Sequence, residues 1–274
     1  MYWLWGSCSS SLDQALTFEL EDMVSYDTNG IGGMAMVVIF AVDNKIFASD
    51  LGKKLGGRPM KLEKKAVIFD LDGVICSTDK FHYQAWKALA DRLGIYFDEK
   101  INDRLRGISR MASLDIILER ADKEYTQKEK ETLASEKNGT YRELLKSMSP
   151  ADLTDEVRDT LTELRNRGYK LSIGSSSKNT KFILGQIGLG DFFDAIADGT
   201  DIANAKPDPE VFLISAKKIG IDPADCAVVE DAKAGIEAAK AGGMAALALF
   251  GDAKGCGLED YDLTSFSDLL NILP

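Results

Sequence analysis

The chain has 274 residues, 45% of them hydrophobic and 28% charged, with a formal net charge of −11. That length supports one or two domains with a real core, and the acidic balance leaves no electrostatic footprint for nucleic acid. A single histidine, His82, excludes a multi-histidine metal centre, and four cysteines (Cys8, Cys76, Cys226, Cys256) fit neither a zinc spacing nor a CxxC pair.

The first stretch, 1–59, differs in character from the rest. It holds the longest apolar run, IGGMAMVVIFAV at 31–42, which is too short to span a bilayer and has no basic segment ahead of it. Segments 36–40 and 45–48, around Asp43-Asn44, are expected to pair as a hairpin. Cys76 and Cys226 sit in apolar runs and read as buried thiols, as suits a reducing cytoplasm.

From residue 65 onward short apolar runs alternate with helical stretches. Strands are expected at 66–70, 170–173, 194–197, 226–229 and 245–249, and helices at 155–167, 179–187, 209–219 and 232–241. Short apolar runs linked by crossover-length segments predict a doubly wound, Rossmann-like α/β parallel sheet. Asp208-Pro209 ahead of Glu210 reads as a helix start, and Gly168, Gly188 and Gly242-Gly243 as helix stops. The alternation fails at 78–147, where His82, Trp86, Leu89 and Leu93 share one helical face, Leu114, Ile117 and Leu118 suggest another helix, and 127–148 one or two more. This predicts a core built from 60–77 and 148–274, with a helical domain of 78–147 inserted after the first strand.

In an open parallel sheet ligands bind beyond the carboxyl ends of the strands. Asp70 and Asp72 follow the first strand, GSSSKN (174–179) follows the next, and Glu230-Asp231 follow a later one. Lys206 precedes a helix start. Each piece alone has a plain reading: a solvated turn, a helix cap, a surface lysine, acids favouring a helix dipole. Together at successive strand ends they describe one site. Clustered carboxylates repel and call for a dication, and oxygen-only ligands favour Mg²⁺. Serines with helix N–H groups make a phosphate seat, a lysine neutralises phosphoryl oxygens, and a carboxylate can be a nucleophile.

FDLDGV, GSSSKN, KPDPEVF and VVEDAKAGIEAAKAG, in this order, resemble the motifs of the haloacid dehalogenase superfamily of phosphotransferases. The resemblance implies Asp70 as nucleophile, Asp72 as general acid/base, and Ser175 and Lys206 as holders of the transferring phosphate. It implies Mg²⁺ on Asp70, Glu230, Asp231 and the carbonyl of Asp72, and makes the helical insertion a cap domain that excludes water. Within the superfamily, FDLDGVICSTDKFHYQAWKALA, RGISRMASL, EKNGTY, SPADL and FFDAIAD are similar to the β-phosphoglucomutases, through core and insertion alike. That implies interconversion of β-glucose 1-phosphate and glucose 6-phosphate by way of a β-glucose 1,6-bisphosphate intermediate. It also implies a distal phosphate site of Arg110, Ser177 and Asn179, sugar-side contacts from Ser113 and Lys137, and a hinge at Thr78 and His82. The alternative readings are a core histidine for His82, a helix-capping or helix-solvating side chain for Arg110, and a plain helix-surface lysine for Lys137. A sugar-phosphate phosphatase on the same fold is the alternative. The expected partner is a small sugar phosphate met in the cytoplasm by a monomer, with no nucleic acid or membrane involved. Met60 opens MKLEKKAVIFDLDGV, which resembles a natural start for this family. Gly56-Gly57 just ahead are encodable by a ribosome-binding sequence, so 1–59 are expected to lie upstream of the native start; a small genuine appendage is the other reading.

Overall fold

The computed structural model describes residues 61–105 and 108–274. The stretch 1–59 with its expected hairpin and Cys8 lies outside the described residues. The apolar runs form β1 (Ala66–Phe69), β2 (Lys170–Gly174), β3 (Ala195–Ala197), β4 (Cys226–Glu230) and β5 (Ala245–Ala248). An additional two-residue strand, β6 (Tyr261–Asp262), extends the edge. The sheet order is β3-β2-β1-β4-β5-β6, and every pairing is parallel.

Both faces of the sheet are covered. Val67, Phe69, Leu171, Ile173, Ala227 and Val229 enter one buried cluster, while Ala66, Ile68, Cys226 and Val228 enter another. Side chains alternate between faces along each strand, and both faces are dry, so the strands read as continuous apolar runs rather than alternating ones. Cys76 and Cys226 are buried as expected.

The register sets the site. Phe69 pairs with Ile173 on one side and Val229 on the other. The next residues, Asp70, Gly174 and Glu230, therefore arrive level with one another at the carboxyl edge. The chain runs from β1 to β2 and β3 on one side, then returns to β4 on the other. The order thus reverses between β1 and β4, where an open α/β sheet forms its ligand crevice.

The insertion after β1 carries α1 (Asp79–Arg92), α2 (Glu99–Asp103), α3 (Arg110–Leu118) and α4 (Gln127–Leu145). The expected helices of 127–148 are the single helix α4. It opens with a capping box in which Thr126 and Glu129 satisfy each other's backbone N–H groups. The short α2, held by the Asp98 carboxylate on the Ile101 N–H at 2.9 Å, has no periodic run to announce it. Trp86, Leu89, Leu114, Ile117 and Leu133 give this insertion its own buried cluster. Further along the same i, i+4 stripe of α4, Tyr141 and Leu145 enter the cluster against the sheet. Beyond the insertion come α5 (Asp155–Asn166), α6 (Thr180–Gln186), α7 (Glu210–Ile219), α8 (Lys233–Ala241) and α9 (Leu269–Ile272). Pro209 is the N-cap of α7 rather than its first residue, so Asp208 lies one position ahead of the expected cap, where its carboxylate still accepts the Glu210 N–H at 3.0 Å; Gly220 closes the helix at φ +70°.

Candidate active site

Asp70 is the first residue after β1, anchored by its N–H on the Val229 carbonyl at 3.0 Å. One carboxylate oxygen accepts the Asp72 N–H at 2.8 Å, and the other meets the Lys206 ammonium. Lys206 also pairs with Glu230, and its side chain is only 9% exposed. Burial acts to lower the Lys206 pKa, but Asp70 and Glu230 outweigh it, so the ammonium is held above its ordinary range. Glu230 turns its second oxygen onto the N–H groups of Asp231 and Ala232, both at 3.0 Å.

Asp231 completes the group. Burial first, then the charges of Asp70, Glu230 and Asp72, push its carboxyl up to about 8. One lysine thus faces more negative charge than it neutralises. Two glycines make the crowding possible. A Cβ on Gly73, at φ +83°, would lie 2.0 Å from an Asp231 carboxylate oxygen, and one on Gly235 would lie 2.0 Å from the Glu230 carboxylate. Beyond the tight turn it allows after Asp72, Gly73 leaves space for a side chain 158 positions further along the chain.

Asp72 turns away from this cluster. Its oxygens accept the Thr78 N–H at 2.8 Å and the Thr78 hydroxyl at 2.5 Å. Burial raises its carboxyl to about 6, with the Thr78 hydrogen bonds opposing. His82 Nε2 stands 3.8 Å from Asp72 Oδ2, while His82 Nδ1 meets the Lys137 ammonium at 2.8 Å. Burial, then Lys137 and Arg110, hold the imidazole well below its usual range, so it is neutral. With Lys137 protonated, Nδ1 accepts from it and the ring proton sits on Nε2, facing Asp72. Lys137 itself falls to about 7 through burial and the Arg110 charge, and packs over the Trp86 and Tyr141 rings at 4.5 and 4.7 Å.

The loop after β2 supplies hydroxyls. Ser175 Oγ accepts from the Ser177 N–H and Ser177 Oγ from the Asn179 N–H, each at 3.2 Å. Each hydroxyl proton is left to donate. Ser175 and Asn179 are buried, and the Asn179 amide donates to Asn138 Oδ1 on α4 at 3.1 Å. Arg110, at the start of α3, is half-buried and, among the described residues, forms no ion pair. Burial lowers its pKa. Ser113 lies one turn further along α3 and is buried.

Asp70, Lys206, Glu230 and Asp231 thus converge, and Thr78, His82 and Lys137 gather on Asp72. Among the described residues no three carboxylate, histidine or cysteine side chains stand in a ready-made metal cage. The reason is geometric: Lys206 occupies the space between Asp70 and Glu230, and Asp72 is turned to Thr78. The donor set is still all oxygen with unmatched negative charge, which suits a hard divalent cation. Tyr141 and Asn138, both within EKNGTY, were not singled out from the sequence; their partners lie across the fold.

A family model for haloacid dehalogenase-like hydrolases matches residues 64–243. The chain belongs to the haloacid dehalogenase-like hydrolase family. That membership implies a metal-dependent reaction. Among its haloacid dehalogenase-like relatives, a β-phosphoglucomutase of Bacillus subtilis is 45% identical over 185 residues, covering 67% of this chain and 82% of the relative. A phosphorylated carbohydrates phosphatase of Thermotoga maritima is 31% identical, covering 66% of this chain and 82% of the relative. The crystal structure of a β-phosphoglucomutase from Clostridium difficile superposes with a TM-score of 0.69 at 39% identity, covering 75% of this chain and 93% of that one.

Proposed function

We propose that this enzyme is a phosphomutase that interconverts β-glucose 1-phosphate and glucose 6-phosphate through a phosphorylated Asp70 and β-glucose 1,6-bisphosphate. The observation that carries the reading is that the helical insertion reaches the core at two places. Lys137 and His82 reach Asp72, and Asn138 reaches Asn179. A mutase needs two phosphate seats, one where transfer occurs and one that holds the distal phosphate while the sugar is turned end for end. The likeness to the Bacillus subtilis β-phosphoglucomutase extends over 82% of that protein, insertion included.

In one half-reaction the 6-hydroxyl of β-glucose 1-phosphate gives its proton to Asp72 and attacks the phosphoryl group carried by Asp70; the bond from phosphorus to the Asp70 oxygen breaks and β-glucose 1,6-bisphosphate forms. In the other, the turned bisphosphate presents its 1-phosphate, an Asp70 oxygen attacks phosphorus, the bond from phosphorus to the sugar oxygen breaks, and that oxygen takes the proton back from the Asp72 carboxyl. A carboxyl near 6 exchanges protons readily near neutral pH. Lys206 and the Ser175 hydroxyl hold the phosphoryl oxygens, while Arg110, Ser177 and Asn179 form the distal seat. A guanidinium without a protein carboxylate suits bidentate phosphate binding. Lys137 and Ser113 face the sugar. The insertion, 78–147, serves as a cap on the 60–77 and 148–274 core and closes at Thr78, excluding water that would hydrolyse the phospho-aspartate. Asp70, Glu230, Asp231 and the Asp72 carbonyl would hold Mg²⁺, which when bound offsets the charge of the carboxylates and the transferring phosphoryl group.

The similarity to a phosphorylated carbohydrates phosphatase favours a second reading, hydrolysis of sugar phosphates at the same site. β-Glucose 1-phosphate, Mg²⁺ and a trace of the bisphosphate separate the two. Formation of glucose 6-phosphate is expected; release of inorganic phosphate without isomerisation would replace the mutase with the phosphatase.

A further inference from the structure

Lys206 is an enclosed cation carried by an exposed stretch of backbone. Residues 198–209, between β3 and α7, contain no strand or helix, and Ala203, Asn204, Ala205 and Pro207 are exposed. Yet the Lys206 ammonium is enclosed between Asp70 and Glu230. A lysine is a point charge on a flexible four-carbon stem, so its reach depends on where its backbone is held. A loop with no ladder of its own needs a brace from a neighbouring element.

The brace comes from the first turn of α7. One oxygen of Glu210, Oε2, accepts the Ala203 N–H at 3.0 Å and the Asn204 N–H at 2.7 Å. Both bonds are charge-assisted, and a single oxygen has the two lone pairs they require. On the far side of Lys206 the Asp208 N–H donates to the Ala205 carbonyl at 3.1 Å, and the Asp208 carboxylate accepts the Glu210 N–H at 3.0 Å. Lys206 thus sits inside a closed circuit of hydrogen bonds that begins and ends at Glu210. The helix end of the circuit is fixed. Val211 and Phe212 are fully buried, and the buried hydroxyls of Ser215 and Ser172, 2.5 Å apart, tie α7 to β2. The Lys206 ammonium itself lies over the Phe212 ring, 4.6 Å from its centroid. Helix α7 therefore holds the lysine at both ends, the backbone through Glu210 and the charge against Phe212.

We propose that Glu210 is a positioning residue for Lys206. By fixing the backbone on the approach to the lysine, it sets how far the ammonium extends toward the phosphoryl group at Asp70. In this role it touches neither the substrate nor the phosphoryl group. An acid in the first turn of a helix also favours the helix dipole. That role needs only the charge, whereas the brace needs the accepting oxygen. The inference rests on the phosphate-holding role of Lys206 proposed above.

The test follows two reactions of the full chain. One is isomerisation of β-glucose 1-phosphate with Mg²⁺ and trace bisphosphate. The other is phosphorylation of the protein by acetyl phosphate with Mg²⁺, followed by intact mass. Both pass a phosphoryl group beside Lys206. Glu210→Met keeps the stem and removes the acceptor, and is expected to lower the isomerisation kcat and the acetyl phosphate rate about tenfold each. Glu210→Gln keeps an accepting oxygen and removes the charge, and is expected to hold both rates within about threefold. Glu210→Ala removes the acceptor by truncation and takes the place of Glu210→Met if the latter does not fold. No loss in Glu210→Met, equal losses in the Met and Gln variants, or a loss confined to one of the two reactions would each overturn the proposal. Lys206→Ala run alongside separates the two levels. If it keeps the acetyl phosphate rate, the phosphate-holding role of Lys206 itself fails; if it loses that rate and Glu210→Met does not, only the role of Glu210 fails.

Discussion

Gly73→Ala tests how the carboxylate cluster is assembled. Gly73 sits at φ +83°, and an added Cβ would lie 2.0 Å from Asp231 Oδ2 and 2.5 Å from its Cγ, against an ordinary contact of 3.4 Å or more. Two costs follow. The left-handed backbone costs an L-residue about 1–2 kcal/mol, and at about 2–4 °C per kcal/mol this lowers the melting temperature by about 2–8 °C. The Asp231 carboxylate must also retreat by about 1.4 Å from the oxygen position it shares with the cluster. It can do so because the side chain rotates, so the fold survives while the site does not. Misplacement of a site group by about 1 Å costs roughly 100-fold in rate. The variant is therefore expected to fold, melt a few degrees lower, and lose about 100-fold or more in kcat/KM for isomerisation. The assays are thermal unfolding by circular dichroism and coupled detection of glucose 6-phosphate. Activity within threefold of the parent chain would refute the claim that Asp231 needs the space at Gly73.

Arg110→Lys replaces a bidentate fork with a point charge. Isomerisation with trace bisphosphate is expected to show weaker binding by about tenfold or more, with inorganic phosphate release rising relative to glucose 6-phosphate; an unchanged product ratio would remove Arg110 from the distal seat. Cation binding should depend on pH through Asp231, whose carboxyl is raised from 3.8 to about 8. In the metal-free fold a raised carboxyl contributes stability that is complete below the unfolded pKa of 3.8 and lost as pH rises through about 8. A dication must displace that proton, so Mg²⁺ is expected to raise the melting temperature more at about pH 9 than at about pH 6. Equal Mg²⁺ shifts at the two pH values would contradict this.

Much of this protein is readable along the chain. Apolar runs ending in carboxylates or a serine loop mark buried parallel strands and their ligand ends, because backbone geometry and burial act locally on a few neighbouring residues. Asp70, Asp72, Ser175, Glu230 and Asp231 all stand where those runs stop, and Lys206 just ahead of a helix start. What lacked a local signal is what depends on packing. β6 is a two-residue, half-buried strand with no period to detect, and exists because β5 offers it an edge. The five-residue α2 is too short for a helical pattern. Lys206 stands between Asp70 and Glu230 because β1 and β4 pair in one particular register, and a register is a property of two strands. Tyr141 reaches Thr78 across 63 positions and Asn138 reaches Asn179 across 41. The sequence by itself determined which side chains arrive at the edge of the sheet. Only the tertiary structure decided which of them touch, because distances between separate elements are set by how their faces pack.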